Sequence, residues 1–154
     1  MTLFNPKELR ALLKPADRVL GLDPGSRQIG VALSDVSLML ASPLTVLKRG
    51  KMAVNVKELA ALCTQFQIGA LVVGLPMSLD GSFGPAARAA SDWAKDISDR
   101  LECPAAMWDE RLSSSAVNRF LIQEADMTRK RRHEVVDKMA AAYTLQGWLD
   151  ATAS

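Results

Sequence analysis

A chain of 154 residues is long enough for one domain with its own core, held without disulfides or a structural metal. Its 49% hydrophobic and 23% charged residues exclude a disordered segment and a fibrous repeat. The formal net charge of +2 is too small to announce a nucleic-acid binder, so the placement of charge carries more of the argument than its sum.

Residues 1–17 read as an N-terminal extension, in which Asn5-Pro6 starts a helix over Lys7 to Leu13 and Pro15 stops it; 18–154 reads as a single domain. From Arg18 the pattern is strand, turn, strand, over Val19 to Leu22 and Ile29 to Leu33. A third strand over Pro43 to Leu47 follows the Ala41-Ser42 bend. Short links between three consecutive strands imply antiparallel pairing. Asn55 and Glu58 read as a capping pair for a helix whose apolar face is Val56, Leu59, Ala60, Cys63 and Phe66. Ala70 to Gly74 is wholly apolar and predicts a central strand covered on both faces. After the loop from Gly74 to Gly84, the residues Ala86, Ala89, Ala90, Trp93, Ala94, Ile97 and Leu101 recur at helical period. Ala105 to Trp108 predicts the last strand, ending in Asp109-Glu110-Arg111. Ser113 then caps a helix to about Glu124, and a final helix spans about His133 to Asp150. These elements predict an α/β fold: a mixed five-stranded sheet with helices on both faces.

Four permanent cations, Arg129, Lys130, Arg131 and Arg132, stand side by side next to the last helix, with His133 continuing the run, while the acids are scattered. Such a run is either a solvated patch or a place to seat phosphates. Cys63 and Cys103 form no Cys-x-x-Cys pair and sit in apolar surroundings, so two small buried hydrophobes are expected and no zinc site. No charged segment leads into a long apolar run, so neither a signal peptide nor a membrane span is expected, and the chain reads as cytoplasmic. Aromatics are only 5% of residues, and Trp93, Trp108 and Tyr143 fall on apolar faces. Core packing is therefore expected of them, and recognition of a backbone rather than of stacked bases.

The chemistry concentrates in Arg18-Val-Leu-Gly-Leu-Asp23-Pro-Gly25-Ser-Arg27-Gln-Ile-Gly30, where an apolar strand delivers a carboxylate to a glycine turn. Desolvating that group is costly unless a cation, a metal or a hydrogen-bond network balances it. Two further acids can converge with it: Glu110 just past the last strand, and Asp137 in the final helix beside the small residues Ala140 and Ala141. Each also has a plain reading. Asp23 can cap its turn, Glu110 can pair with Arg111 or serve the next helix, and the alanines can serve ordinary helix packing. Spacing alone does not separate these readings. Arg27, in the turn after Asp23, is a candidate phosphate contact.

Asp23-Pro-Gly25-Ser-Arg27-Gln-Ile-Gly30-Val-Ala-Leu-Ser-Asp35 resembles Asp-x-Gly-x-x-Arg-x-Gly-x-Ala-x-Ser-Asp, the opening motif of the YqgF/RuvX family, a branch of the ribonuclease-H-like fold, with the arginine one position earlier, at Arg27. Its members are described as Holliday-junction resolvases or as nucleases maturing pre-16S rRNA. The resemblance continues through Gly74-Leu-Pro76 with Asp80-Gly81, Asp109-Glu110-Arg111-Leu112, and Asp137-Lys-Met-Ala-Ala141 leading to Asp150. Where the family often has paired threonines and a glutamate, this chain has Ser113, Ser114, Ser115 and Ala116, a change expected to affect helix capping. The resemblance implies an endonuclease using Mg²⁺ or Mn²⁺, with Asp23, Glu110 and Asp137 as catalytic and metal-holding acids. It also implies that Arg129 to Arg132 hold phosphates. Structured RNA, in 5′-end maturation of pre-16S rRNA, is the expected substrate, with branched DNA as the alternative and a non-catalytic nucleic-acid-binding module as a third reading. Sugar kinases and actin open with a similar phosphate loop, but they pair two such domains and need about twice this length.

Overall fold

The computed structural model describes residues 3–77, 80–109 and 129–153, the side chains of 129–137 excepted. In chain order these form α1 (Pro6–Ala11), β1 (Arg18–Pro24), β2 (Gln28–Ser34), β3 (Ala41–Lys48), α2 (Met52–Phe66), β4 (Ile68–Leu75), α3 (Pro85–Leu101), β5 (Ala105–Asp109) and α4 (Arg129–Thr152). The helix expected from Ser113 to Glu124 lies outside the described residues.

The strands form one sheet in the order β3-β2-β1-β4-β5. β1, β2 and β3 pair antiparallel, and β1, β4 and β5 pair parallel, as the expected mixed sheet requires. β1 is the middle strand and β4 an interior one, so the apolar run at Ala70 is covered as its sequence implied. Alternation along β1 divides the core. Leu20 and Leu22 pack with Ile29, Val31, Leu59, Leu71, Val73, Trp93 and Ile97 beneath α2 and α3. On the opposite face, Val19 packs with Ala32, Ala70, Val72, Ala106, Ala141, Leu145, Trp148 and Leu149 beneath α4. Small residues dominate this second face, and they bring α4 close. A Cβ on Gly21 would stand 2.8 Å from the Cβ of Leu145 and 3.0 Å from the Ala141 carbonyl oxygen.

Several elements differ from their sequence reading. Asn55 does not cap α2, which begins three residues earlier; Asn55 is 1% exposed and ties the β3–α2 connection instead. Its amide donates to the Lys48 carbonyl and to Glu58 Oε1 at 3.0 Å each, and its Oδ1 accepts from the Gly50 amide. In α3 the buried stripe is Ala87, Ala90, Trp93, Ala94 and Ile97, with Ala86 and Ala89 exposed; alanine is too small to fix a helix face, and the large residues decide it. Tyr143 is 40% exposed rather than in the core, since Ala141, Thr144, Leu145 and Trp148 occupy the sheet-facing side of α4. The extension is packed onto the sheet. Leu9 is fully buried among Val19, Ala70, Ala106 and Trp148, the Phe4 amide donates to the Ala105 carbonyl, and Trp148 Nε1 donates to the Pro6 carbonyl.

Cys103 is buried and Cys63 half-buried in the α2/α3 core, and the fold brings the two thiols into hydrogen-bond contact. That contact holds the Cys63 thiol below and the Cys103 thiol above the ordinary range, burial adding to the rise at Cys103. Among the described residues no helix is long and apolar enough to cross a membrane.

Candidate active site

β1, β4 and β5 run parallel, so their C-terminal ends share one edge of the sheet. The chain leaves β1 for β2 on one side and later reaches β4 on the other. The end of β1 is therefore the point where strand order reverses, the usual place for a site in an open α/β sheet. Asp23 stands there, half-buried and engaged in polar contact. Its partner across the antiparallel ladder is Gly30, whose own partner is Val46. On the other side Leu22 is level with Val73 and Val73 with Met107, which sets Gly74 and Trp108 at the level of Asp23. Paired residues share a face, so Asp23 belongs to the α4 face with Gly21, Ala106 and Trp108.

The turn after Asp23 is fastened from outside. The Gly25 amide donates to the Gln28 carbonyl at 2.8 Å, and a Cβ on Gly25 would stand 2.9 Å from that same oxygen; close approach of backbone is what the glycine permits. Arg49, just past β3, donates from Nη1 to the Gly25 carbonyl at 2.8 Å and from its amide to the Arg27 carbonyl at 2.9 Å. Its guanidinium also lies 5.6 Å from the Trp93 ring. No sequence signal pointed to Arg49, because its role depends on the β2–β3 register.

The three expected acids are resolved to different degrees. Asp23 is described in full. β5 lies two strand spacings, about 10 Å, from β1; Glu110, the next residue in sequence after β5, lies outside the described residues. The backbone of Asp137 belongs to α4, one turn or about 6 Å before Ala141, and its side chain lies outside. α4 crosses Gly21 at Ala141 and Leu145, and Lys138 lines a groove with Gln28 and Lys48; the helix therefore runs toward the sheet edge that bears Asp23. Carboxylate oxygens are the donors that hard divalent cations take, so this set suits Mg²⁺ or Mn²⁺.

The basic run differs in position from its reading. Arg129 to Arg132 form the beginning of α4 rather than a stretch before it, with their side chains outside the described residues. Cations there add to the positive end of the helix dipole. Arg27 is exposed in the turn after β1 and lines the groove just mentioned. In the second motif, Asp80 accepts the Ser82 amide at 2.9 Å, closing a turn at Gly81 where φ is 85°.

A family model described as "RuvX: Holliday junction resolvase" matches residues 17–151. A protein of Gluconobacter oxydans named "Putative pre-16S rRNA nuclease" is 71% identical over 99% of this chain and 95% of its own length. A protein of Gluconacetobacter diazotrophicus with the same name is 61% identical over 99% of both chains. Among solved structures, Thermus thermophilus RuvC in complex with a Holliday junction substrate superposes with a TM-score of 0.52 at 14% identity, over 89% of this chain and 96% of that one. The fowlpox virus Holliday junction resolvase gives 0.52 at 8% identity, over 88% and 99%. At these identities the structures speak for the fold, a ribonuclease-H-like sheet.

Proposed function

The chain belongs to the RuvX family, and from that membership we propose that it is a divalent-metal-dependent endonuclease that hydrolyses phosphodiester bonds in the 5′-end maturation of pre-16S rRNA. The observation that carries this reading is Asp23: a half-buried carboxylate at the strand-order reversal, beside a cationic turn. Asp23, Glu110 and Asp137 would hold the metal. Metal ions held there would supply an activated water and stabilise the leaving oxygen. The chain's own residues do the rest. Asp23 is held in place by β1 and by the Arg49-braced turn, Asp137 rides on α4, and Arg27 with Arg129 to Arg132 positions the phosphate backbone. Such work on a ribosomal precursor belongs to the cytoplasm, where ribosomes assemble.

The description of the matched family favours a second reading, resolution of branched DNA. A resolvase acts as a symmetric dimer with two sites facing two strands. One experiment separates the readings: cleavage of end-labelled pre-16S leader RNA and of a four-way DNA junction, with Mg²⁺, Mn²⁺ or EDTA, by wild type and Asp23→Asn. Metal-dependent cleavage of the leader, reduced at least about 100-fold in the variant, is expected. Cleavage of the junction alone would select the resolvase, and cleavage of neither would leave a binding module.

A further inference from the structure

To one side of Asp23 the fold forms a groove of about 610 Å³, lined by Arg27, Gln28, Leu44, Thr45, Val46, Lys48 and Lys138. It lies between the edge strand β3 and α4. Three of its seven lining residues are cations and none is an acid. Arg27 and Lys48 are exposed and Lys138 half-buried, and no ion pair with a carboxylate among the described residues accounts for them. A groove with that lining attracts an anion.

Its position says which anion. Gln28, Gly30 and Val46 lie on the face that carries Asp23, and the cross-strand row Asp23–Gly30–Val46 connects the groove floor to the candidate site. Two strand spacings separate the ends of that row, about 10 Å. That span exceeds the reach of a single phosphate. Lys138 lies on the same helix as Arg129 to Arg132. A lone phosphate needs one such place; a track of cations leading away from a carboxylate suits a chain of phosphates.

We propose that this groove holds the phosphodiester backbone of the nucleic acid to one side of Asp23, with Lys48 and Lys138 as phosphate contacts beside Arg27. The assignment rests on the reading of the chain as a nuclease. Neither lysine stood out in the sequence. Lys48 ends an edge strand and becomes part of the track only through pairing with Gln28, and Lys138 does so only through the docking of α4.

The test is fluorescence anisotropy with a labelled 20-base-pair RNA hairpin in metal-free buffer between 50 and 300 mM KCl. It uses the full chain carrying Asp23→Asn, alone and with Lys48→Gln plus Lys138→Gln; circular dichroism checks that each variant is folded. Losing two phosphate contacts lowers the slope of log affinity against log salt by roughly 2 and weakens binding about tenfold at 100 mM. In the Asp23-containing protein the same pair raises KM for cleavage. An unchanged slope in the pair variant, with the parent binding normally, overturns the groove assignment and leaves the nuclease reading standing. Absence of salt-dependent binding by the parent overturns both. Displacement of the probe by millimolar inorganic phosphate at constant ionic strength would make the groove a small-anion site and overturn the assignment as well.

Discussion

Gly21 sets how near α4 comes to the middle strand, because the position a Cβ would take is already bounded by Leu145 and the Ala141 carbonyl. Gly21→Ala overpacks this contact, and neither neighbour is the loose end of a flexible side chain. The expected cost is about 1–3 kcal/mol, read as a lower urea midpoint at unchanged slope. Cleavage should fall by more than this stability loss explains, since the same helix bears Asp137. The place of Asp23 at the end of an apolar strand was legible in the sequence, because such a strand announces itself over six residues. Gly21, two positions earlier, gave no such signal, because its partner lies 120 residues further on. Arg49 was equally silent: a cation after a strand is ordinary until the β2–β3 ladder puts it against the Gly25 carbonyl.

The β2–β3 hairpin is closed by one carboxylate. Asp35 accepts the Ser37 hydroxyl, the Met39 amide at 2.8 Å and the Leu40 amide at 3.2 Å. These bonds, the Ser37 hydroxyl foremost, hold its pKa below the ordinary carboxylate value despite a small opposing effect of burial. A depressed folded pKa stabilises fully above the unfolded value of about 4 and ceases to do so as pH falls through the folded value. Asp35→Asn should therefore lower the thermal midpoint at pH 6, and the gap to wild type should narrow as the pH is taken toward 3. A gap that stays constant between those pH values would mean that the charge contributes nothing to the hairpin. The hairpin itself was readable from strand patterning. α2 was misread by three residues because Asn55 and Glu58 have capping spacing, yet here the asparagine serves backbone groups of the preceding connection. A side chain's local motif does not say whether its partners lie ahead of it or behind.

At the scale of the molecule, α1 joins the two ends of the chain. Leu9 is fully buried beside Trp148, and Arg10 donates to the Leu149 carbonyl at 2.9 Å and to Thr152 Oγ1 at 3.1 Å. Leu9→Ala should cost about 2–4 kcal/mol through the cavity it leaves, measured by urea unfolding. A loss below about 0.5 kcal/mol would show that α1 is held by its polar contacts alone. The alternation of strands and helices was legible because each element carries its own period. The docking of a six-residue helix was not, since its contacts reach some 140 residues along the chain. The paired thiols of Cys63 and Cys103 supply a native reporter of how this assembly breathes. Cys63 ionises first and is half open to alkylating reagents, whereas Cys103 reacts only when the seam between α2, α3 and β5 parts; its labelling rate therefore measures the free energy of that opening. β5 runs from beside Cys103 to the sheet edge that bears Asp23, so the clock ticks on a strand that ends at the candidate site.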